Sequence, residues 1–248
     1  MISAIVITKN EENNIKECLE VLNWTDEVIV IDSLSIDKTR QIAQKMGAKV
    51  FSCSKQGFDA RRNMGAQKAS GDWLLYVDAD ERVTPELRAE ITQKTKSLDS
   101  ISGFQIPRLN VFFGRKMRHG GWYPDYQTRL IRKNSLSYWF GKIHESPKIN
   151  GQIGFLKNHF IHNTHRSIAE GFEKSRAWTQ MEAELFYKAG HPPVLIYHLV
   201  KAPLFEFCGR IFWKRGFMDG SVGWLEGLIQ AYNKFLVYAQ LWEKQQKI

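Results

Sequence analysis

The sequence predicts an α/β fold, with a mostly parallel, Rossmann-like sheet flanked by helices and a helical C-terminal extension. Three observations predict it. Over the first hundred residues, short β-branched runs alternate with polar helix-forming stretches, the rhythm of βαβ units with right-handed crossovers. Three of these runs end in polar clusters, Thr8-Lys9-Asn10-Glu11, Asp32-Ser33 and Asp78-Ala79-Asp80, and ligands of such sheets bind beyond the carboxyl ends of the strands. Towards the C-terminus the apolar residues fall at intervals of three and four, which marks amphipathic helix.

Taken in order, Ser3–Thr8 is the first strand, and Glu11–Leu22 reads as a helix with Asn10 as its cap. Glu27–Ile31 is the second strand and leads into Asp32. Ser35 is placed to cap a helix that runs to Met46, where Gly47 stops it. Ala48–Phe51 is a short third strand, Ala60–Ala69 a helix and Trp73–Val77 the fourth strand. Thr84-Pro85 opens another helix, with Thr at the cap and Pro at the first position. Ile101–Arg108 and Gln127–Lys133 read as strands on either side of the loop FFGRKMRHGGWYPD. Ser167–Tyr187 is helical in composition, and from Val222 a final helix repeats its apolar face through Leu225, Ile229, Tyr232 and Leu236. The expected division is a sheet domain over residues 1–165 and a helical extension over 166–248.

The 248 residues are 43% hydrophobic and 25% charged, enough for a sizeable core. The net charge of +9 is uneven: residues 1–100 carry 14 Lys+Arg against 16 Asp+Glu, the remainder 21 against 10. A basic, aromatic-rich second half implies an anionic partner. No nucleic-acid-binding module accompanies it, so nucleic acid is not the expected one. Cys18, Cys53 and Cys208 are scattered and odd in number, as in a reducing, cytoplasmic compartment. MISAIVITKNEE lacks a basic segment ahead of its apolar run and reads as a strand, not a signal peptide. Val194 to Trp213 is apolar but interrupted by Lys201, Pro203, Glu206 and Arg210; that is too polar to span a bilayer, though suited to lying in its interface or packing on the sheet.

The order of ISAIVITKNEE, VIVIDSLSIDKT, ARRNMGAQKASGDWLLYVDADE, GKIHESP and FIHNTHRS resembles the family 2 inverting glycosyltransferases of GT-A fold. More narrowly, TKNEE, the His-Glu pair and FWKRGFMDGSVGWLEG look like bacterial enzymes that add glucose to heptose (β-1,4) in the lipopolysaccharide core. The resemblance implies a donor half over residues 1–100, an acceptor half over 101–165, and a UDP-sugar as donor. Thr8, Asn10, Glu11, Asp32, Arg62, Asp78, Ala79 and Asp80 would bind that donor. Asp32 would accept a hydrogen bond from uracil, as a carboxylate can; the lesser alternative is an Asp bonding its own loop amides. In the D-x-D position, Asp80 would ligate a divalent Mg²⁺ or Mn²⁺ directly and Asp78 would contact ribose or reach the metal through water, with His162, or His165 instead, as a third protein ligand. Glu145 would be the catalytic base, with Asp125 as the fallback. Trp122, Asp125, Arg129 and His144 would face the acceptor.

The implied activity is transfer of a hexose to a lipid-anchored, phosphorylated glycan at the cytoplasmic face of the inner membrane, with peripheral contact to anionic lipid. Another polysaccharide, a lipid phosphate or a protein are alternative acceptors. A non-catalytic sugar-nucleotide-binding protein at the membrane is the alternative of a different class. The final helix would cover the domain or join two copies in a homo-oligomer.

Overall fold

The computed structural model describes residues 1–55, 57–97, 100–141, 145–165 and 167–246, and the chain falls into two compact units. One comprises Met1–Arg108 with Asp125–His162, the other Leu109–Pro124 with Asn163–Ile248.

The first unit begins with β1 (Ile2–Thr8), α1 (Ile15–Glu20), β2 (Glu27–Asp32), α2 (Thr39–Lys45), β3 (Lys49–Ser52) and α3 (Phe58–Lys68). It continues with β4 (Trp73–Asp78), β5 (Glu81–Val83) and α4 (Pro85–Lys96). The remaining strands are β6 (Ile101–Phe112), β7 (Arg115–Lys116), β8 (Asp125–Arg132), β9 (Leu136–Phe140), β10 (Ser146–Ile149), β11 (Gln152–Phe155) and β12 (Phe160–His165). The main sheet has the order β3-β2-β1-β4-β8-β6-β12-β5, and β9 pairs with β10 in a separate ribbon.

The sheet is parallel through β3, β2, β1 and β4 and turns antiparallel at β8. The parallel, Rossmann-like half expected from the sequence is present, and the antiparallel pairs of β8 make the whole sheet mixed. The reason is connectivity: no helix separates β6 from β8, so the chain returns without the crossover that a parallel pairing needs.

All of β1 is buried, and its two faces serve two cores. Ala4 and Val6 pack with Val30, Leu75, Val77 and Ile15, whereas Ile5 and Ile7 pack with Ile29, Ile31, Leu74 and Tyr76. A strand covered on both faces favours an uninterrupted apolar run, which is how Ala4-Ile5-Val6-Ile7 reads. On the second face α3 lies close: a Cβ on Gly65 would sit 2.4 Å from Ile5 Cγ2.

The rim loops correct two helix starts. Asn10 is left-handed, with φ of 56°. Its Oδ1 accepts from the Ile36 amide at 3.0 Å, and its own amide donates to Ser35 Oγ at 2.8 Å. Ser35 Oγ in turn donates to Asp32 Oδ1 at 2.5 Å. Neither residue caps a helix; they lace the β1 and β2 loops together, so α1 and α2 begin only at Ile15 and Thr39. Short polar side chains offer the backbone this alternative to helix. Thr84 does cap α4, accepting from the Leu87 amide at 3.2 Å with Pro85 first in the helix.

The second unit is mainly helical: α5 (Ile168–Lys188), α6 (Ile196–Cys208) running into a π turn at Gly209–Trp213, and α7 (Gly220–Gln245). Its core joins Ala183, Val194, Val237 and Leu241. Buried Asp219 accepts from the amides of Arg118 and His119, at 3.1 and 2.8 Å, and so ties the 109–124 segment to this unit. No described helix is long and apolar enough to cross a membrane.

Candidate active site

Strand register aligns the three polar clusters. Thr8 sits beside Asp32, and Ile7 beside Asp78, so β1, β2 and β4 end at one level. Because β8 runs back along β4, with Leu75 beside Leu130, the next residue toward its start, Arg129, comes to the same rim. Cross-strand pairing of β6 with β8 brings Arg108 opposite Asp125.

These strands assemble a connected ionic network. Arg62, buried on α3, donates from Nη2 to Asp78 Oδ1 at 3.0 Å and to Glu145 Oε1 at 2.8 Å, with Nε on the same Glu145 oxygen at 3.0 Å. Its guanidinium lies 5.0 Å from the Trp139 ring, which fixes its plane. Arg129, also buried, donates to both oxygens of Asp78 and, at 3.2 Å, to Glu81 Oε1. Fully buried Glu81 accepts from the Asp78 amide at 2.9 Å and lies 3.5 Å from Arg108 Nη1. Arg108 holds Asp125 Oδ2 through Nη2 and Nε at 2.6 and 2.9 Å.

Burial alone would raise the Asp78 carboxyl. The Arg129, Arg62 and Arg108 guanidiniums outweigh it and hold that carboxyl well below the usual carboxylate range. Burial likewise works to lower Arg129, but Asp78, Glu81 and Glu145 push it above the usual range. Asp78 is thus a fixed anion at the rim.

Asp80 follows in the turn after β4, and β5 then pairs with β12 so that His162 lies beside Glu81. The His162 Nε2 to Asp80 Oδ2 distance is 3.4 Å, with both side chains partly exposed. The carboxylate oxygen suits Mg²⁺ or Mn²⁺, and an imidazole nitrogen beside it favours the transition metal of the two, Mn²⁺. Among the described residues no group of three His, Cys, Asp or Glu could enclose an ion. The two donors therefore fit an open site completed by ligand oxygens and water. Arg62 Nη1 is buried and has no hydrogen-bond partner among the described residues, a donor in want of an anion.

Of the other residues singled out in the sequence, Asp32 is fully buried and turned to its own loop. It accepts from Thr8 Oγ1 at 3.1 Å and from the Ser35 amide at 2.9 Å. The Glu11 amide donates to Thr39 Oγ1 at 2.7 Å, and Ala79 is buried behind the turn. Trp122 belongs to the second unit, where it packs on Phe112 with Arg210 4.7 Å above its ring. His144 and the side chain of His165 lie outside the described residues. Sequence reasoning passed over Glu81 and Arg108. Only the acidic run Asp78-Ala79-Asp80-Glu81 hinted at the first, and nothing local marks the second.

Residues 3–151 match the family described as Glycosyl transferase family 2. The chain belongs to that family. An uncharacterised glycosyltransferase of Rickettsia bellii is 31% identical over 255 residues, covering 98% of this chain and 86% of that protein. A lipopolysaccharide core biosynthesis glycosyltransferase, LpsC of Rhizobium meliloti, is 24% identical over 251 residues, covering 98% and 92%. Among solved structures, glucosyl-3-phosphoglycerate synthase from Mycobacterium tuberculosis, in complex with Mn²⁺, UDP and glucosyl-3-phosphoglycerate, superposes with a TM-score of 0.51. It is 19% identical and the match covers 77% of this chain and 81% of that one, which establishes the shared GT-A fold.

Proposed function

We propose that the chain is an inverting, metal-dependent glycosyltransferase that moves a hexose, glucose first among them, from a UDP-sugar to a lipid-anchored glycan such as the lipopolysaccharide inner core. The observation that carries this reading is a single sheet rim where Arg62 joins Asp78 to Glu145 while Asp80 meets His162. The core-biosynthesis relative and the UDP- and Mn²⁺-bound neighbour support it. So does the basic second half of the chain, which suits a phosphorylated acceptor at the cytoplasmic face of an anionic membrane.

Asp80 and His162 would hold Mg²⁺ or Mn²⁺, which supplies positive charge against the departing diphosphate. Arg62 Nη1 donates to the diphosphate, and Asp78, held by two guanidiniums, receives the ribose hydroxyls. Thr8, Asn10, Glu11, Asp32 and Ala79 border the base and ribose. Glu145 is the base: both Arg62 contacts fall on Oε1, so Oε2 takes the proton of the acceptor hydroxyl. The acceptor oxygen bonds to the anomeric carbon on the face opposite UDP as the bond to the diphosphate oxygen breaks, its electron pair leaving with UDP. Trp122, Asp125 and His144 serve the acceptor side. Arg129 acts by positioning Asp78.

The test is a UDP-sugar panel against cell-envelope glycolipids, read by mass spectrometry of the product, with Glu145→Gln beside the wild type. The variant should bind UDP within twofold of wild type and lose transfer by about a hundredfold or more. Normal turnover by Glu145→Gln would move the base elsewhere, and UDP binding without transfer to any acceptor would favour a non-catalytic sugar-nucleotide-binding protein.

A further inference from the structure

We infer that α6 and the turn after it form a surface that inserts into an anionic lipid bilayer at interface depth. None of the thirteen residues of α6 is buried. Ile196, Val200 and Leu204 recur every fourth residue with exposures of 82, 65 and 57%. The π turn at Gly209–Trp213 advances more residues per turn and carries this row on to Phe212 and to Trp213, itself 76% exposed. A helix packed on its own domain would bury such a row. Here the row is the outer face, and α6 meets α7 with the other side, through residues such as Leu199.

The charges select the occupant. Lys201, Lys214 and Arg215 are exposed along this surface and form no ion pair among the described residues. The acidic groups of the segment are used elsewhere: Glu206 pairs with Arg210 at 2.6 Å, and Asp219 is buried on the Arg118 and His119 amides. The exposed face therefore offers apolar and aromatic side chains with cations and no free anion. A second copy would bring six such cations into one interface with no free anion from this face to meet them, because a two-fold interface uses the same patch on both subunits. Anionic headgroups neutralise them, while the row enters the acyl boundary and Trp213 takes the depth that aromatic rings favour. No described helix spans a bilayer, so the contact is peripheral. Its purpose rests on the proposed lipid-anchored acceptor, but its test does not.

The test uses the full chain and sedimented vesicles of phosphatidylcholine with or without phosphatidylglycerol. The wild type should bind the anionic vesicles, and binding should weaken as salt rises. The triple change Lys201→Glu, Lys214→Glu, Arg215→Glu should lower that affinity by about a hundredfold or more, taking each cation as worth about fivefold. Ile196→Ser with Val200→Ser and Trp213→Ser should lower it at least tenfold. UDP affinity should hold in both variants, which confirms folding. Failure of the wild type to sediment, or equal binding by all three proteins, overturns the surface. A dimer in solution that the serine changes dissociate overturns it too, in favour of a second copy. UDP binding without vesicle binding sinks this inference and leaves the donor reading intact. Vesicle binding without UDP affinity does the reverse.

Discussion

Arg129→Met probes the network beneath the rim. The guanidinium is only 4% exposed and donates to Asp78 and to Glu81 Oε1. Methionine keeps much of the stem volume, so a cavity term is small. What is lost is two charge-assisted interactions, each worth about 1.5–3 kcal/mol. Breaking a buried ion pair costs about 3–5 kcal/mol as a whole. Two features favour the lower end: Glu81 keeps the Asp78 amide and Arg108, and Asp78 keeps Arg62 and some solvent. The expectation is a loss of about 3 kcal/mol at pH 7, which at a urea slope of about 3 kcal/mol/M shifts the midpoint by about 1 M.

The pH dependence of that loss has a definite sign. A carboxyl depressed in the folded state stabilises above its unfolded value, near pH 4, and loses that contribution as pH falls through the folded one. Asp78 is such a group, and Arg129 is the largest of the cations that depress it. The gap between variant and wild type should therefore be full at pH 7 and narrow below pH 4. Urea unfolding followed by circular dichroism at pH 7 and pH 3.5 measures both. A midpoint shift under about 0.2 M at pH 7, or a gap that widens in acid, refutes the reasoning. Glu81→Gln in the Arg129→Met background should recover about 0.5–3 kcal/mol, because the carboxylate left without that cation is removed.

Three further outcomes are expected. Calorimetry with UDP should show Mn²⁺ raising affinity at least tenfold in the wild type and not in Asp80→Asn; equal enhancement in both would remove Asp80 from the metal. Gly65→Ala should destabilise by about 1–3 kcal/mol, since its Cβ would meet Ile5 Cγ2 at 2.4 Å; unchanged thermal unfolding would contradict the packing of α3 on β1. Glu226, buried on α7, has its carboxyl pushed up to about 7 by burial, against a lesser pull from the Gln230 side chain and from Arg210. A raised acid destabilises the fold as pH climbs from near 4.5 through 7. Glu226→Gln should thus be the more stable protein at pH 8, by up to about 3 kcal/mol, and little different at pH 4.5; a constant difference across that range would rule this out.

Much of the fold was legible because its first half obeys local rules. β1, β2 and β4 bury both faces, so each reads as an unbroken apolar run, and Asp32 and Asp78 follow directly. The rim was equally legible, since parallel strands end together. The network under it was not. Arg129 reads in sequence as a polar residue of a strand near the acceptor, yet antiparallel pairing of β8 with β4 drives it inward onto Asp78. Arg108 reaches Glu81 and Asp125 through the same long-range register. Such partners depend on which strands become neighbours, and no window of local sequence encodes that. The loops failed for a different reason: Asn10 and Ser35 have the chemistry of helix caps, but each found the other first.

The charge count of the rim bears on how a donor is received. Among the described residues four carboxylates, Asp78, Glu81, Asp125 and Glu145, connect to three guanidiniums, Arg62, Arg108 and Arg129, and a fifth, Asp80, stands at the same rim beside His162. Counted without the His162 imidazole, the surplus is two negative charges, which repels a bare diphosphate and matches one divalent cation. On the proposed reading a nucleotide diphosphate and its cation would enter together, with Nη1 of Arg62, unpartnered among the described residues, facing the phosphate oxygens. That same guanidinium holds Glu145. Each new anion on Arg62 weakens its claim on the carboxylate, so arrival of the donor would loosen Glu145, the proposed base, toward the acceptor. A UDP titration that leaves the pH profile of acceptor binding unmoved in the wild type, and unmoved again in Arg62→Lys, would uncouple the two.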